Sequence, residues 1–327
     1  MNVLSLFDGM SCGQIALDKL GIKVDNYFAA EIDKYAIQVT QKNYPNTIQI
    51  GDVTDVYYKE HGQLVWGKPQ TDEQPRGYQD VDIDILYGGS PCQSFSRAGD
   101  GSGFDGKSAL FFEFVRILKE VKPKYFLLEN VIMKKEWEDV ITEILGVEPI
   151  EIVSSKLVPQ KRRRLYWTNI PNIEQPEQVD YDINDYFDGP GFPSACNVKR
   201  MFKKKEVFNT ITATYWKGIR GSGRPAVSTE EGFLDDNRSA HRMLTPNECE
   251  RLQTVPLDYT DCVSKTQRFK MLGNGWTVDV IAHIFKNLEC SRIASKQGLA
   301  GAVEEASKHI IEPRCVRDGI VKRNENK

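Results

Sequence analysis

The sequence predicts an α/β protein built on a mostly parallel, doubly wound sheet, with a smaller second lobe. Three observations carry that expectation. Short apolar runs alternate with amphipathic helical patterns through the first half of the chain, the rhythm of a parallel sheet covered on both faces. Small and polar residues follow one apolar run after another, at Asp8-Gly9, Glu31, Asp52, Pro91-Cys92 and Glu129-Asn130. In such sheets ligands sit beyond the carboxyl ends of the strands, so these groups gather around one crevice. The rhythm then stops near Pro171, and a stretch rich in Pro, Gly, aromatics and charge runs to about His241.

Taken in order, Asn2–Leu6 reads as the first strand, Asp8–Gly13 as a turn of small residues and Gln14–Leu20 as a helix. Asn26–Ala30 is the second strand, followed by a helix over Asp33–Asn43 that Asp33 caps. Thr47–Ile50 and Ile83–Tyr87 are the third and fourth strands. Leu110, Phe111, Phe114, Val115 and Leu118 recur at helical spacing. Tyr125–Leu128 is a fifth strand, and Ile150–Val153 and Leu165–Trp167 add two more; polar Trp66–Tyr78, with Pro69 and Pro75, reads as a surface loop. Beyond the lobe, Leu244–Leu252 is helical with Thr245 as N-cap and Pro246 at the first position. Trp276–Leu288 is an apolar helix, and the chain from about Ser291 is a tail holding one helical segment.

Composition narrows the function. The 327 residues are 40 % hydrophobic, enough for a sizeable core. No run approaches the roughly 20 apolar residues that span a membrane. The N-terminus lacks the basic segment of a secretory signal, so a cytoplasmic protein is expected. Seven scattered cysteines without a CxxC, and four histidines, disfavour a disulfide framework or a metal site. The net charge of −3 is unremarkable, but its distribution is uneven. Lys156–Arg164 and Lys199–Lys205 each carry five basic residues and no acid, and Lys217, Arg220 and Arg224 follow in a Gly-rich stretch. These runs read either as solvated faces or as a local phosphate-binding surface.

Free cysteines are most often small buried residues. Cys92 stands apart because it follows Gly88-Gly89-Ser90-Pro91 at a strand end and precedes a Gly- and Ser-rich loop able to close over a substrate. A thiol near a helix N-terminus and basic groups is favoured as thiolate. Glu129 could simply cap the next helix, or in a partly dry crevice hold and donate a proton. If the chain is extended at Arg162–Leu165, alternation sends Arg162 and Arg164 to one face and Arg163 to the other.

Together these segments resemble the C5-cytosine DNA methyltransferase family from Asn2 to about Leu288. Phe7-Asp8-Gly9-Met10-Ser11-Cys12-Gly13 is similar to the family's first cofactor loop, and Gly89-Ser90-Pro91-Cys92-Gln93-Ser94-Phe95-Ser96 to its nucleophile loop. Glu129-Asn130-Val131 and Gln160-x-Arg162-x-Arg164 match two further elements. Arg242–Cys249 with Arg251-Leu252-Gln253 resembles the ninth motif, and Gly273-Asn274-Gly275 the tenth. Each is weak alone; six in order are specific. Two departures stand out: Ser-Cys-Gly where many members carry more glycines, closer to the vertebrate de novo enzymes, and Gly275-Trp276 where Ser-Val is frequent.

The resemblance implies a Rossmann-like S-adenosylmethionine-dependent methyltransferase domain over 1–168, a target-recognition lobe over 169–241, a return segment over 242–290 and a tail over 291–327. It implies methyl transfer from S-adenosyl-L-methionine to carbon 5 of cytosine in double-stranded DNA, through a Cys92–C6 adduct on a flipped-out base. Glu129, Arg164 and Arg162 would complete the catalytic set, with Glu129 at N3 and Arg164 at O2. Phe7, Asp8, Gly9, Met10, Glu31, Ile32, Asp52, Val53, Pro91, Leu110, Asn274 and Gly275 would form the cofactor pocket. Glu31 would take the ribose diol and Asp52 the adenine amine.

Gln93, Ser94, Ser96, Gln160, Arg163, Lys203, Lys204, Lys205, Thr210, Lys217, Arg220 and Arg224 would face DNA, Arg224 at a base edge. No metal, no membrane and a monomer are expected, in a bacterial or phage enzyme of the restriction-modification kind. Two alternatives remain: the same chemistry on transfer RNA, and a catalytically silent DNA-binding homologue. A zinc deaminase is disfavoured, because Cys92 lacks a Cys-x-x-Cys partner.

Overall fold

The computed structural model describes residues 1–68, 77–91, 110–196, 202–219, 223–228 and 241–288. The chain opens with β1 (Asn2–Leu6), α1 (Cys12–Lys19), β2 (Asn26–Ala30), α2 (Lys34–Asn43) and β3 (Ile48–Gln49). A ribbon of β4 (Val56–Lys59), β5 (Gln63–Trp66) and β6 (Gly77–Asp80) precedes β7 (Ile85–Gly88). Then come α3 (Leu110–Val121), β8 (Tyr125–Val131), α4 (Lys135–Leu145), β9 (Ile150–Val153), β10 (Gln160–Lys161) and β11 (Arg163–Thr168). The smaller lobe carries β12 (Phe192–Cys196), β13 (Phe202–Lys204), β14 (Phe208–Asn209), β15 (Pro225–Ser228) and β16 (His241–Arg242). α5 (Pro246–Leu252), α6 (Lys265–Asn274) and α7 (Val278–Phe285) return to the main body.

The central sheet has seven strands in the order β3-β2-β1-β7-β8-β11-β9. β1 is parallel to both β2 and β7, so the chain winds outward in opposite directions from that pair. This reversal opens a crevice at the carboxyl ends of β1 and β7. Alternation along the strands then sorts the core. Val3, Tyr27, Ala29, Ile85, Tyr87 and Leu127 pack on one face with α1 and α7. Leu4, Phe28, Ala30, Leu86, Phe126 and Leu128 pack on the other with α3 and α4. The period of two sends neighbouring residues to opposite sides, which lets apolar runs such as Tyr27–Ala30 serve two layers at once.

The expectation of a mostly parallel sheet holds, with one difference at its edge. β11 runs antiparallel to both β8 and β9. Only Ser154–Arg162 joins β9 to β11, too short for the crossover that parallel neighbours require. The polar segment read as a loop from Trp66 to Tyr78 instead begins and ends in strands, with Val65 opposite Tyr78 and Trp66 opposite Gly77; 69–76 lie outside the described residues. Helices α4 and α6 were not expected from the sequence. In α4 the apolar positions Val140, Ile141, Ile144 and Leu145 sit among five charged residues that obscure the stripe.

The lobe is a four-stranded antiparallel sheet, β13-β12-β15-β16, tied to the main body through the parallel pair β10 and β14. Thr245 caps α5 with Pro246 at its first position, as expected, and Glu248 completes a full capping box. The tail from Ser291 lies outside the described residues.

Candidate active site

A cleft of about 960 Å³ opens where the strand order reverses. Its walls come from the loop after β1 (Phe7, Asp8, Gly9), from Glu31 after β2, from Gly89-Ser90-Pro91 after β7 and from Glu129-Asn130-Val131 on β8. Arg162 and Arg164, Thr210–Thr214 and Arg224 of the lobe, and Gly273–Trp276 of the return segment close it.

The loop after β1 is bent sharply. Phe7, Gly9 and Ser11 have φ of 57°, 60° and 60°. Gly9 adopts that conformation freely, but for Phe7 and Ser11 it is strained and must be held by its surroundings. Asp8 provides the hold. Ser5 Oγ and Tyr27 OH donate to its carboxyl at 2.6 and 2.7 Å, and Ser11 Oγ donates to its other oxygen. Tyr87 in turn donates to Tyr27. Burial, with Glu31 nearby, raises the Asp8 carboxyl to about 6 against the lowering effect of these hydroxyls. Ser11 thus takes a left-handed position where glycine is common, and its hydroxyl braces the loop.

Glu31 closes the same turn. Its Oε2 accepts the Gly9 N–H at 2.7 Å, and Oε1 accepts those of Ile32 and Asp33 at 2.8 and 2.7 Å. Lys270 of α6 bridges to Asp33 at 2.8 Å, joining the return segment to this rim.

At the other end, Glu129 is 7 % exposed. Arg164 Nε lies 2.7 Å from its Oε1, and the Trp276 indole donates to Oε2 at 3.0 Å. Asn130 donates to Ser90 Oγ at 3.2 Å, so β8 fixes the chain as it leaves β7. Arg162 and Arg164 do share a face, while Arg163 points away and pairs with exposed Glu151. Arg162 is 3 % exposed and donates to the carbonyls of Ile211, Gly273 and Gly275. It therefore stitches lobe, return segment and main body together; burial pushes its guanidinium below the ordinary value. Gly273 permits this closure, because a Cβ there would stand 2.2 Å from Thr212 C.

The remaining expected residues are placed as follows. Asn274 and Gly275 line the cleft. Met10 and Val53 are buried, and Ile32 is 72 % exposed. Asp52 caps the next turn through the Thr54 N–H at 2.9 Å. Leu110 begins α3 against the apolar cluster beneath. Gln160 is buried, donating to Leu252 O and Gln253 and accepting from Ile211. Thr210 donates to Lys161 O at 2.7 Å. Arg224 donates to Gly218 O, and exposed Lys217 sits 5.4 Å from the Trp216 ring.

Lys205 lies just past β13, where its N–H bonds Pro193 O. Cys92, Gln93, Ser94, Ser96 and Arg220 lie outside the described residues, as do the side chains of Lys203 and Lys204. Cys12 also lines the cleft, but burial pushes its thiol up to about 12, which keeps it inert.

Sequence reasoning missed Trp276 as a partner of Glu129, and missed the hydroxyls around Asp8. A tryptophan beside Gly275 was visible; its reach to a residue 147 positions away was not. Trp216, 45 % exposed beside the cleft-lining Thr214, was also passed over.

No group of residues suited to a metal ion occurs among the described residues, and none of their helices is long and apolar enough to cross a membrane. The model of the C-5 cytosine-specific DNA methylase family matches residues 1–187 and 191–290. The type II methyltransferase M1.ScrFI of Lactococcus lactis subsp. cremoris is 28 % identical over 331 residues, covering 88 % of this chain and 77 % of that protein. The type II methyltransferase M.NlaX of Neisseria lactamica is 28 % identical over 336 residues, covering 88 % and 96 %. Among solved structures, the Entamoeba histolytica methyltransferase EhMeth superposes with a TM-score of 0.67 at 19 % identity, over 89 % of this chain and 98 % of that one. The chain belongs to the C-5 cytosine-specific DNA methylase family and is a DNA (cytosine-5-)-methyltransferase.

Proposed function

We propose that the protein methylates carbon 5 of cytosine in double-stranded DNA, with Cys92 as nucleophile on a base turned out of the helix. The observation that carries this reading is the Glu129–Arg164 pair in the same cleft as the bent loop after β1, with Asn130 anchoring the chain two residues before Cys92.

The cleft suits S-adenosylmethionine. The aromatic Phe7 and the carboxylates of Asp8 and Glu31 favour a cation, and Glu31 has two oxygens for a diol. Phe7, Gly9, Glu31, Asn274 and Gly275 would hold it from the walls, with Met10, Val53, Asp52, Ile32, Leu110 and Pro91 completing the surroundings. When bound, it supplies an electrophilic methyl group.

The chain's own residues do the rest. The Cys92 thiolate forms a bond to C6, and the C5=C6 electron pair moves toward N3, where a proton on Glu129 stabilises it. Arg164 turns from Glu129 to O2. After C5 is methylated, its proton passes to water, the freed C–H electron pair restores the double bond and expels the thiolate, and the N3 proton returns to Glu129. Arg162 keeps the framework closed throughout.

We assign residues 1–168 and 242–290 to the catalytic body and 169–241 to target recognition. Lys205, Lys217, Arg220 and Arg224 are proposed to meet DNA, with Lys203, Lys204, Gln93, Ser94 and Ser96. Thr210 shapes the base pocket, and Gln160 and Arg163 support its strand. A monomer acting in the cytoplasm fits this reading.

Cys92→Ala tests it. The variant should lose turnover on duplex DNA and keep its affinity for S-adenosylmethionine. Sustained methylation by that variant is incompatible with the mechanism. Labelled methyl appearing in transfer RNA and never in duplex DNA would move the substrate to RNA.

A further inference from the structure

The contact between Trp276 and Glu129 is built with care on every side. The indole N–H donates to Oε2 at 3.0 Å while Arg164 holds Oε1 at 2.7 Å. The ring rests on Tyr87, centroids 5.9 Å apart. The backbone just before it is fixed by Arg162, which donates to Gly275 O at 2.8 Å. Gly89 leaves the contact room: a Cβ there would stand 3.0 Å from Glu129 Oε2 and 3.1 Å from Trp276 Nε1.

We propose that Trp276 is a positioning residue for methyl transfer, pinning Oε2 of Glu129 so that Oε1 is the oxygen presented to the base. The proposal rests on the reading of Glu129 as the group that meets cytosine N3. The last torsion of a glutamate is broad and roughly two-fold, so an unpinned carboxyl presents either oxygen at a range of angles. An indole N–H is a donor only. With Oε2 held by that donor, Oε1 is the oxygen left to face the base. Arg164 pairs with Oε1 and releases it when the guanidinium turns to the base. Trp276 cannot titrate in the working range and has no other role at that oxygen, so the orientation persists through the exchange.

A double-mutant cycle tests the proposal on the full-length protein with duplex DNA and S-adenosylmethionine. Trp276→Phe keeps a ring against Tyr87 and removes the N–H. It should lower kcat by about tenfold to a hundredfold, the weight of a hydrogen bond to a charged group. KM for both substrates should stay within about twofold, because the bond matters to the reacting geometry rather than to binding. In a Glu129→Gln background, the same change should cost less than about twofold more, as expected of residues acting as one unit.

Equal losses in both backgrounds, or wild-type kcat in Trp276→Phe, would overturn the positioning role. Wild-type kcat in Glu129→Gln would instead remove the reading of Glu129, and the proposal with it. Should Trp276→Phe fail to fold, the isosteric benzothienylalanine, introduced at position 276 by suppression, keeps the shape without the N–H. It must show the same fall in kcat for the proposal to stand.

Discussion

Arg164 and Glu129 meet diagonally across two antiparallel strands: Arg164 pairs in register with Val131, Glu129 with Tyr166, and the side chains close to 2.7 Å on a shared face. Diagonal neighbours on one face of a sheet lie about 7–8 Å apart at their backbones, within reach of long side chains. The ion pair thus places a mobile cation beside the carboxyl with no dedicated loop.

Removing that cation should damage turnover. Arg164→Ala is expected to lower kcat on the order of 10²-fold, in the range seen when one preorganised donor to a developing charge is lost. Steady-state kinetics on duplex DNA check it; kcat within about twofold of wild type would take Arg164 out of the mechanism.

Arg162 should behave differently. Its guanidinium donates to three carbonyls from two segments, the lobe and the return segment, in a buried setting. Arg162→Met leaves those acceptors unsatisfied and should cost about 3 kcal/mol or more of stability. Urea unfolding would show it as a lower midpoint at unchanged slope.

Gly273→Ala tests the closure between lobe and return segment. With Thr212 C only 2.2 Å from the added Cβ, one backbone must move. A loss of at least about 1–3 kcal/mol is expected, as for other overpacked sites. Unaltered thermal unfolding would show that this approach is looser than described.

Asp8 has a pH signature. Its carboxyl is raised from 3.8 to about 6 by burial. A group with a raised native value binds the extra proton when folded, so its stabilising contribution is full below about pH 4 and is lost as pH rises through about 6. The difference in melting temperature between Asp8→Asn and the wild type should therefore shift in favour of the variant as pH climbs from 4 to 7. A constant difference across that range would remove the buried acid from the account.

Trp216 is expected to stack on nucleic acid. It is 45 % exposed on a turn anchored by fully buried Tyr215, whose hydroxyl donates to Pro225 O. Trp216→Ala should weaken DNA binding by about 1–3 kcal/mol, the weight of one stacked base, with little change in salt slope. Lys217→Ala should flatten the slope instead. If the Trp216 variant binds as tightly as wild type, the ring does not touch DNA.

Much of this was legible in the residues. The strand-end groups Asp8, Glu31, Pro91 and Glu129 announced a crevice because a parallel sheet gathers its carboxyl ends at one edge. Alternation at Arg162–Arg164 separated the inward pair from Arg163, and Thr245-Pro246 marked the start of α5. These are local rules: one period, one cap, one turn.

The tertiary structure decided what lies between distant segments. No local pattern distinguishes Arg162 as a clamp from Arg164 as a partner of Glu129, since both alternate to the same side. Which one is buried depends on where Gly273 and Ile211 arrive. Trp276 reaching Glu129, Lys270 reaching Asp33 and Tyr27 reaching Asp8 likewise join residues that only packing brings together. Hydrogen bonds of this kind are short-ranged, so they follow from the assembled fold and leave no periodic trace in the chain that forms them.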